Sequence, residues 1–168
     1  MSAPMATRAY IGLGGNLDHP DARIERALLA FDTLPGTRLV ARSALYRTAP
    51  VGFVDQPDFI NAVAAVETTL APLDLLHALL DLEVDAGRER SFRNAPRTLD
   101  LDVLLYGDLV QDDPQLILPH PRMGTRGFVL LPLQEISPDL MIPGLGPIAP
   151  LAAACHDQGV LRLQPSAA

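Results

Sequence analysis

Residues 96–106 constrain the fold most, because their sequence, PRTLDLDVLLY, alternates between apolar and polar side chains as a β-strand does. The alternation predicts that the aliphatic side chains share one face of the strand: Leu99, Leu101, Val103 and Leu105. It places Asp100 and Asp102 together on the other face. Neighbouring carboxylates repel each other and resist burial, but a hard cation such as Mg²⁺ binds to such an oxygen pair, usually together with substrate phosphates.

An arginine-rich run precedes this strand and contains Arg88, Arg90, Arg93 and Arg97, with Glu89 as its only acid. Guanidinium groups are well suited to phosphate oxygens. Metal-binding acids beside an arginine cluster therefore indicate a site for a polyphosphate. The alternative is a solvated strand face beside a surface loop, and this stretch alone leaves both interpretations open.

The composition is ordinary for a globular protein, and we expect a single domain over residues 1–168. The formal net charge is −7, and all thirteen basic residues are arginine. The absence of lysine excludes a Schiff-base lysine and a conventional Walker A loop. An acidic chain repels nucleic acid and anionic membranes unless its basic groups gather on one face. We therefore expect small-molecule partners, with no nucleic acid and no membrane.

The cysteine content and the N-terminal residues indicate the cellular compartment in which we expect the protein. The single cysteine, Cys155, has no second cysteine for an internal disulfide. No run before residue 30 has the length and flanks of a signal peptide or membrane span. We therefore expect a cytoplasmic protein, and we expect it to be a monomer.

The hydrophobic periodicity predicts a β-α-β-β-α-β order of elements. The predicted strands cover residues 9–16, 37–47, 58–68 and 99–106, and the predicted helices cover residues 20–34 and 72–86. A turn after Tyr106 leads into a short hairpin, residues 128–136 are helical or strongly turned, and a short helix lies near 149–157. The glycine turn at the end of the first strand indicates either close backbone approach to a ligand or a tight strand-to-helix turn.

Several side chains outside the acidic strand are candidates for ligand contact. Phe59 and Asn61 share a strand face, and together they suit a planar heterocycle, although their spacing alone favours a core phenylalanine and a sheet-edge amide. Glu83 lies at the edge of an apolar helix stripe, where it needs either an arginine or a ligand as partner. His120 is held between two prolines, and Arg126 follows six residues later, so phosphate contact remains open for both.

Six short motifs, taken in order and spacing, resemble those of the 6-hydroxymethyl-7,8-dihydropterin pyrophosphokinase family. They are residues 10–16, residues 46–50, residues 55–62, Glu83 with 87–90, residues 96–102, and residues 119–123 with 126–128. The resemblance covers about residues 9–155. It implies transfer of diphosphate from ATP to a pterin alcohol, and a ferredoxin-like α+β fold with an antiparallel sheet and an extra C-terminal hairpin and helices.

The resemblance also assigns roles to individual residues. It implies two Mg²⁺ ions on Asp100 and Asp102. The catalytic residues it implies are Arg88, Arg90, Arg97, Asp100 and Asp102. The ATP-binding residues it implies are Glu83, Arg90, Arg97, His120 and Arg126. The pterin-binding residues it implies are Thr48, Val51, Phe59, Asn61 and Phe128.

One departure and two alternatives accompany the resemblance. Relatives often carry a tryptophan before the Pro-Arg pair of the central motif, whereas this chain has Asn94-Ala95. The same acid pair would also suit another Mg²⁺-dependent nucleotidyl or phosphoryl transferase, which would not need Phe59, Asn61 and Phe128. A non-catalytic ferredoxin-like binding module would explain the fold without the acids.

Overall fold

An antiparallel sheet forms the centre of the structure, which is a computed structural model describing residues 5–50, 55–85 and 98–163. The described strands are β1 (Thr7–Gly15), β2 (Thr37–Arg42), β3 (Tyr46–Thr48), β4 (Phe59–Thr68), β5 (Asp100–Tyr106), β6 (Gln111–Asp113), β7 (Leu116–Leu118), β8 (Met141–Ile142), β9 (Gly146–Pro147) and β10 (Leu161–Arg162). The central sheet has the order β10-β3-β4-β1-β5, and β2 also pairs with β4. The pairs β6–β7 and β8–β9 form two small separate hairpins.

Four α-helices pack on the two faces of this sheet: α1 (Pro20–Ala30), α2 (Pro72–Asp85), α3 (Gly127–Ile136) and α4 (Ile148–Ala153). Helices α1 and α2 bury their aliphatic side chains against one face. Helices α3 and α4 do the same on the other face. The order β1-α1-β2-β4-α2-β5, with β1 and β4 central, confirms the predicted β-α-β-β-α-β core.

The predicted strand over residues 37–47 is divided in two, with Ser43 at the interruption. The Ser43 N–H donates to Val63 O at 2.9 Å, and the Val63 N–H donates to the Ser43 hydroxyl at 3.0 Å. The side-chain hydroxyl thus takes the place of a backbone carbonyl in the ladder. The chain therefore stays beside β4 while its register changes between β2 and β3.

The predicted alternation in β5 holds up to Val103 and then breaks. Ile11 pairs with Val103 while its neighbour Tyr10 pairs with Leu105, so Leu104 is an extra residue in β5. Leu101 and Val103 pack in the core under α1 and α2, whereas Leu104 and Leu105 pack on the side of α3. The prediction that Leu105 shares a face with Leu101 is therefore wrong, because the bulge reverses the alternation.

Within residues 5–50, 55–85 and 98–163, no helix has the length and apolar character needed to cross a bilayer. The longest described helix, α2, has 14 residues, whereas a spanning helix needs about 20.

Candidate active site

A cleft of about 680 Å³ opens on the face of the sheet that α3 and α4 cover only in part. Under these helices the sheet presents apolar side chains such as Val63 and Leu104. Beyond them the same face presents glycines and polar side chains, which line the cleft: Gly12, Gly14, Asn61, Asp100 and Asp102. The change from apolar to polar residues along one sheet face therefore marks the position of the site.

The strand register aligns these residues in rows across the sheet. Gly14 in β1 lies opposite Asp100 in β5 and Asn61 in β4. Gly12 lies opposite Asp102 in the same way. A Cβ atom on Gly14 would come within 2.8 Å of the Asn61 Oδ1 atom, closer than ordinary contact allows. Gly14 therefore leaves space between the acid pair and the Asn61 amide, which supports the prediction of close backbone approach to a ligand.

One wall of the cleft contains the predicted aromatic and amide side chains. Thr48, Phe59, Asn61 and Phe128 all line the same space, although they come from three different parts of the chain. Asn61 is buried, and its Nδ2 atom donates to the Thr48 hydroxyl at 3.0 Å. This bond orients the amide, so that a planar ligand in the cleft would meet a fixed pattern of polar atoms.

The segment between β7 and α3 contributes basic side chains to the cleft, and we call this part of the lining the cationic wall. His120, Arg122 and Arg126 line the cleft. The His120 N–H donates to Leu104 O at 2.9 Å, which ties this segment to β5. The Arg126 guanidinium lies 5.4 Å from the centre of the Phe128 ring. Arg122 was not among the residues predicted for the site, although its place in the same motif as His120 was a usable signal.

The side chains of the cationic wall interact electrostatically with one another and with the acid pair. Burial lowers the pKa of His120, the positive charges of Arg126 and Arg122 lower it further, and Asp100 opposes them. Burial and Arg122 also lower the pKa of Arg126, while Asp102 and Asp100 raise it. His120 is therefore neutral at pH 7. An anion bound between His120 and Arg126 would favour the charged forms of both side chains.

Asp100 and Asp102 are the described residues best suited to a hard cation. Their side chains are half-buried and line the cleft two residues apart on one strand. Within the described ranges, no group of three or more His, Cys, Asp or Glu side chains could surround a metal ion. Two carboxylates alone suit Mg²⁺, because this ion commonly keeps several waters and takes its other ligands from substrate phosphates.

Glu83 lies in the interior between α2 and β5, and it is not among the residues lining the cleft. Only 1% of its surface is exposed, and its carboxylate accepts the Leu101 N–H at 2.6 Å. Leu101 stands between Asp100 and Asp102, so Glu83 anchors the segment that carries both acids. Its predicted contact with ATP stays a prediction.

Replacing Glu83 with leucine should lower the free energy of unfolding by about 2–3 kcal/mol, because the buried Leu101 N–H would lose this acceptor. Urea denaturation followed by circular dichroism measures this loss. Glu83→Gln is the matched control, since the amide oxygen can still accept the bond and its loss should be smaller. Equal stability of Glu83→Leu and the wild type would contradict the anchoring role.

Four of the residues predicted for the site lie outside the described residues: Val51, Arg88, Arg90 and Arg97. Their predicted roles stay predictions. The structure adds two cleft residues from the C-terminal segment instead, Gln158 and Val160. Neither belongs to a motif or a periodic pattern, so no signal in the sequence pointed to them.

Comparisons with known proteins agree on one family. The family model described as 7,8-dihydro-6-hydroxymethylpterin-pyrophosphokinase matches residues 10–138. The 2-amino-4-hydroxy-6-hydroxymethyldihydropteridine pyrophosphokinase of Pseudomonas aeruginosa is 51% identical over 159 residues, covering 95% of this chain and 98% of that protein. The protein of the same name from Haemophilus influenzae is 44% identical over 157 residues, covering 94% of this chain and 98% of that protein.

Solved structures with the same fold include a crystal structure of wild-type Plasmodium falciparum HPPK-DHPS with pteroate. Its TM-score is 0.70 at 16% sequence identity, with 91% of this chain covered. This chain spans 43% of that longer chain. At this identity the likeness concerns the fold alone.

Proposed function

The chain belongs to the 7,8-dihydro-6-hydroxymethylpterin-pyrophosphokinase family, and from this we propose that it transfers diphosphate from ATP to 6-hydroxymethyl-7,8-dihydropterin in folate biosynthesis. The products are AMP and the pterin diphosphate. The observation that carries the proposal is that one cleft is lined by a carboxylate pair, a cationic wall, a buried amide and two aromatic rings. These parts correspond to the metal, the phosphates and the pterin that the reaction needs.

The pterin site in this proposal is the wall formed by Thr48, Phe59, Asn61 and Phe128. The two phenylalanine rings provide apolar faces for stacking on a planar bicyclic ring. The Asn61 amide, oriented by Thr48, offers both a donor and an acceptor to the edge of the pterin. Val51 is proposed to contribute to the same pocket.

The ATP site in this proposal is the cationic wall. His120 and Arg126 contact the phosphates, and Arg122 adds a third nitrogen-bearing side chain at the same wall. Arg88, Arg90 and Arg97 are proposed to supply further positive charge. Since the fold holds His120 and Arg126 at the cleft, these two side chains can stabilise the reacting phosphates with little reorganisation during the reaction.

Asp100 and Asp102 are proposed to hold Mg²⁺, with two ions expected. When bound, Mg²⁺ neutralises phosphate charge and orients the oxygens of the triphosphate. The carboxylates lie on a paired strand of the central sheet, beside Gly12 and Gly14, so their spacing is fixed by backbone hydrogen bonds. A site on such a rigid element can hold its ligands precisely.

The proposed reaction is an in-line displacement at the β-phosphorus of ATP. The pterin hydroxymethyl oxygen forms a new bond to this phosphorus and loses its proton. The bond between the β-phosphorus and the oxygen shared with the α-phosphate breaks, and AMP leaves with the bonding electrons. The protein contributes mainly by positioning the two substrates and by balancing charge, as is usual for phosphoryl transfer.

Replacing Gly14 with alanine should weaken pterin binding roughly tenfold or more, because displacement of a positioning group by a fraction of an ångström is costly. The new Cβ atom would lie 2.8 Å from Asn61 Oδ1 and push the amide away. Gly12→Ala is the comparison variant, since its Cβ atom would meet Leu104 at an ordinary 3.4 Å. Fluorescence titration with the pterin measures both, and equal affinities in the two variants would contradict the expected order.

A direct assay of AMP formation tests the proposed function. With ATP, Mg²⁺ and the reduced hydroxymethylpterin present, AMP and the pterin diphosphate should form in equal amounts. Omitting the pterin should stop AMP formation. ATP consumption that does not depend on the pterin would favour another phosphoryl transferase, and no Mg²⁺-dependent ATP binding would favour a non-catalytic module.

The cysteine content supports a proposal about the compartment. The single cysteine, Cys155, is buried and free. We propose a monomer that acts in the reduced cytoplasm.

A further inference from the structure

We propose that Gln158 is a positioning residue, which holds Arg126 and Phe128 in place at the cleft wall. Its side-chain Oε1 atom accepts the Gly127 N–H at 2.8 Å, and its Nε2 atom donates to Thr125 O at 2.9 Å. The amide thus bridges the residues on either side of Arg126. This inference rests on the proposed function, because it assigns Arg126 to ATP and Phe128 to the pterin.

Helix α3 has no side-chain hydrogen bond from its own N-cap residue. Arg126 occupies the cap position of this helix and makes no capping hydrogen bond with its side chain. The first N–H groups of a helix have no partner within the helix and need one from elsewhere. Gln158 provides it for Gly127 from 31 residues further along the chain. The start of α3 therefore depends on the C-terminal segment for its position.

Gly127, the first residue of α3, is buried and closely packed. A Cβ atom on Gly127 would lie 3.0 Å from Gln158 Oε1, 3.1 Å from Cys155 Cβ and 3.1 Å from Val160 Cγ2. The backbone between Arg126 and Phe128 is therefore packed directly against the C-terminal segment. A shift of that segment would move both cleft residues together.

The C-terminal segment is also fixed to the sheet edge that carries Thr48, one of the proposed pterin contacts. Strand β10 pairs with β3, and the Leu163 N–H donates to Leu45 O at 2.8 Å. Strand β3 also carries Thr48, which orients the Asn61 amide. Gln158 therefore links the cationic wall to the sheet edge that bears the pterin contacts, and it sets the spacing between the two substrate sites.

This arrangement predicts an effect on both substrates at once. A residue that touches one substrate should mainly change the affinity for that substrate. Losing the Gln158 amide should instead let Arg126 and Phe128 shift, which weakens ATP and pterin binding together. A purely structural role would lower the amount of folded enzyme and the melting temperature, but the KM values of the folded fraction would not change.

The test compares Gln158→Met with Gln115→Met. Methionine has a similar length and makes neither hydrogen bond, and the Gln115 side chain bonds to exposed His77 at 3.2 Å, away from the cleft lining. Steady-state assays of AMP formation should show KM values for ATP and for the pterin each raised roughly five- to tenfold in Gln158→Met, as expected for two lost hydrogen bonds. Gln115→Met should match the wild type. Unchanged KM values, or a change for one substrate only, would overturn the inference.

Gln158→Glu provides a second readout that does not depend on how well Gln158→Met folds. Its carboxylate can still accept the Gly127 N–H but cannot donate to Thr125 O, and it adds negative charge beside Arg126. The KM for ATP should therefore rise more than the KM for the pterin, and an unchanged KM for ATP would contradict the proposal. A wild-type enzyme that forms no AMP would refute the proposed function itself, whereas an active wild type with indifferent Gln158 variants would refute only the positioning role.

Discussion

Replacing Asp102 with asparagine is expected to lower the rate of AMP formation about a thousandfold, a loss of about 4 kcal/mol of transition-state stabilisation. Asparagine has nearly the same shape as aspartate but no negative charge. Asp102 lies on β5 opposite Gly12, away from the Phe59 and Asn61 wall, so pterin binding should persist. The loss should therefore appear in Mg²⁺-dependent turnover and not in pterin affinity.

The measurement is AMP release over a range of Mg²⁺ concentrations, with pterin affinity determined separately by fluorescence. Asp112→Asn is the matched control, because Asp112 is an exposed aspartate on the β6–β7 hairpin. It should turn over like the wild type. An Asp102→Asn enzyme with wild-type turnover at all Mg²⁺ concentrations would show that the carboxylate has no part in binding the metal.

Replacing Arg126 with glutamine is expected to lower kcat/KM for ATP about a hundredfold, the usual cost of removing one charged donor from a reacting site. Arg126 lines the cleft, is partly buried, and lies within the electrostatic range of Asp100 and Asp102. Its guanidinium also stacks against Phe128, so a smaller decrease in pterin affinity should accompany the loss.

Arg38→Gln is the control for this substitution, since Arg38 is an exposed arginine on β2 that contacts only Glu67 among the described ion pairs. Initial rates at varied ATP concentration separate the two variants. Arg38→Gln should keep the wild-type kcat/KM. A loss confined to the pterin, with normal kinetics for ATP, would argue that Arg126 serves the ring pocket and not the phosphates.

The order of the main elements could be predicted from the sequence because each has a clear periodicity. The bulge in β5 could not, because Val103, Leu104 and Leu105 are all apolar and fit either register. The break between β2 and β3 was missed for a different reason. It depends on the Ser43 hydroxyl bonding to Val63 in a neighbouring strand, and no local pattern reveals that contact.

The candidate site likewise contains some residues that the sequence predicts and others that it does not. Seven residues that belong to short sequence motifs line one cleft in the structure: Phe59, Asn61, Asp100, Asp102, His120, Arg126 and Phe128. The bond from the Leu101 N–H to the Glu83 carboxylate joins two elements, and side-chain patterns do not predict such a backbone contact. Gln158 lies outside every motif. Its proposed role depends on the path of the C-terminal segment across the fold, which no local sequence pattern predicts.

The acid pair and the proposed pterin pocket line one cleft, and paramagnetic broadening tests most directly whether the metal and the pterin bind there together. With Mn²⁺ in place of Mg²⁺, a non-hydrolysable ATP analogue and the bound pterin, the wild-type protein should broaden the NMR signals of the pterin hydroxymethyl protons. Asp102→Asn should remove this broadening while the pterin stays bound. Sharp pterin signals in the wild-type complex, with Mn²⁺ bound, would contradict a shared site.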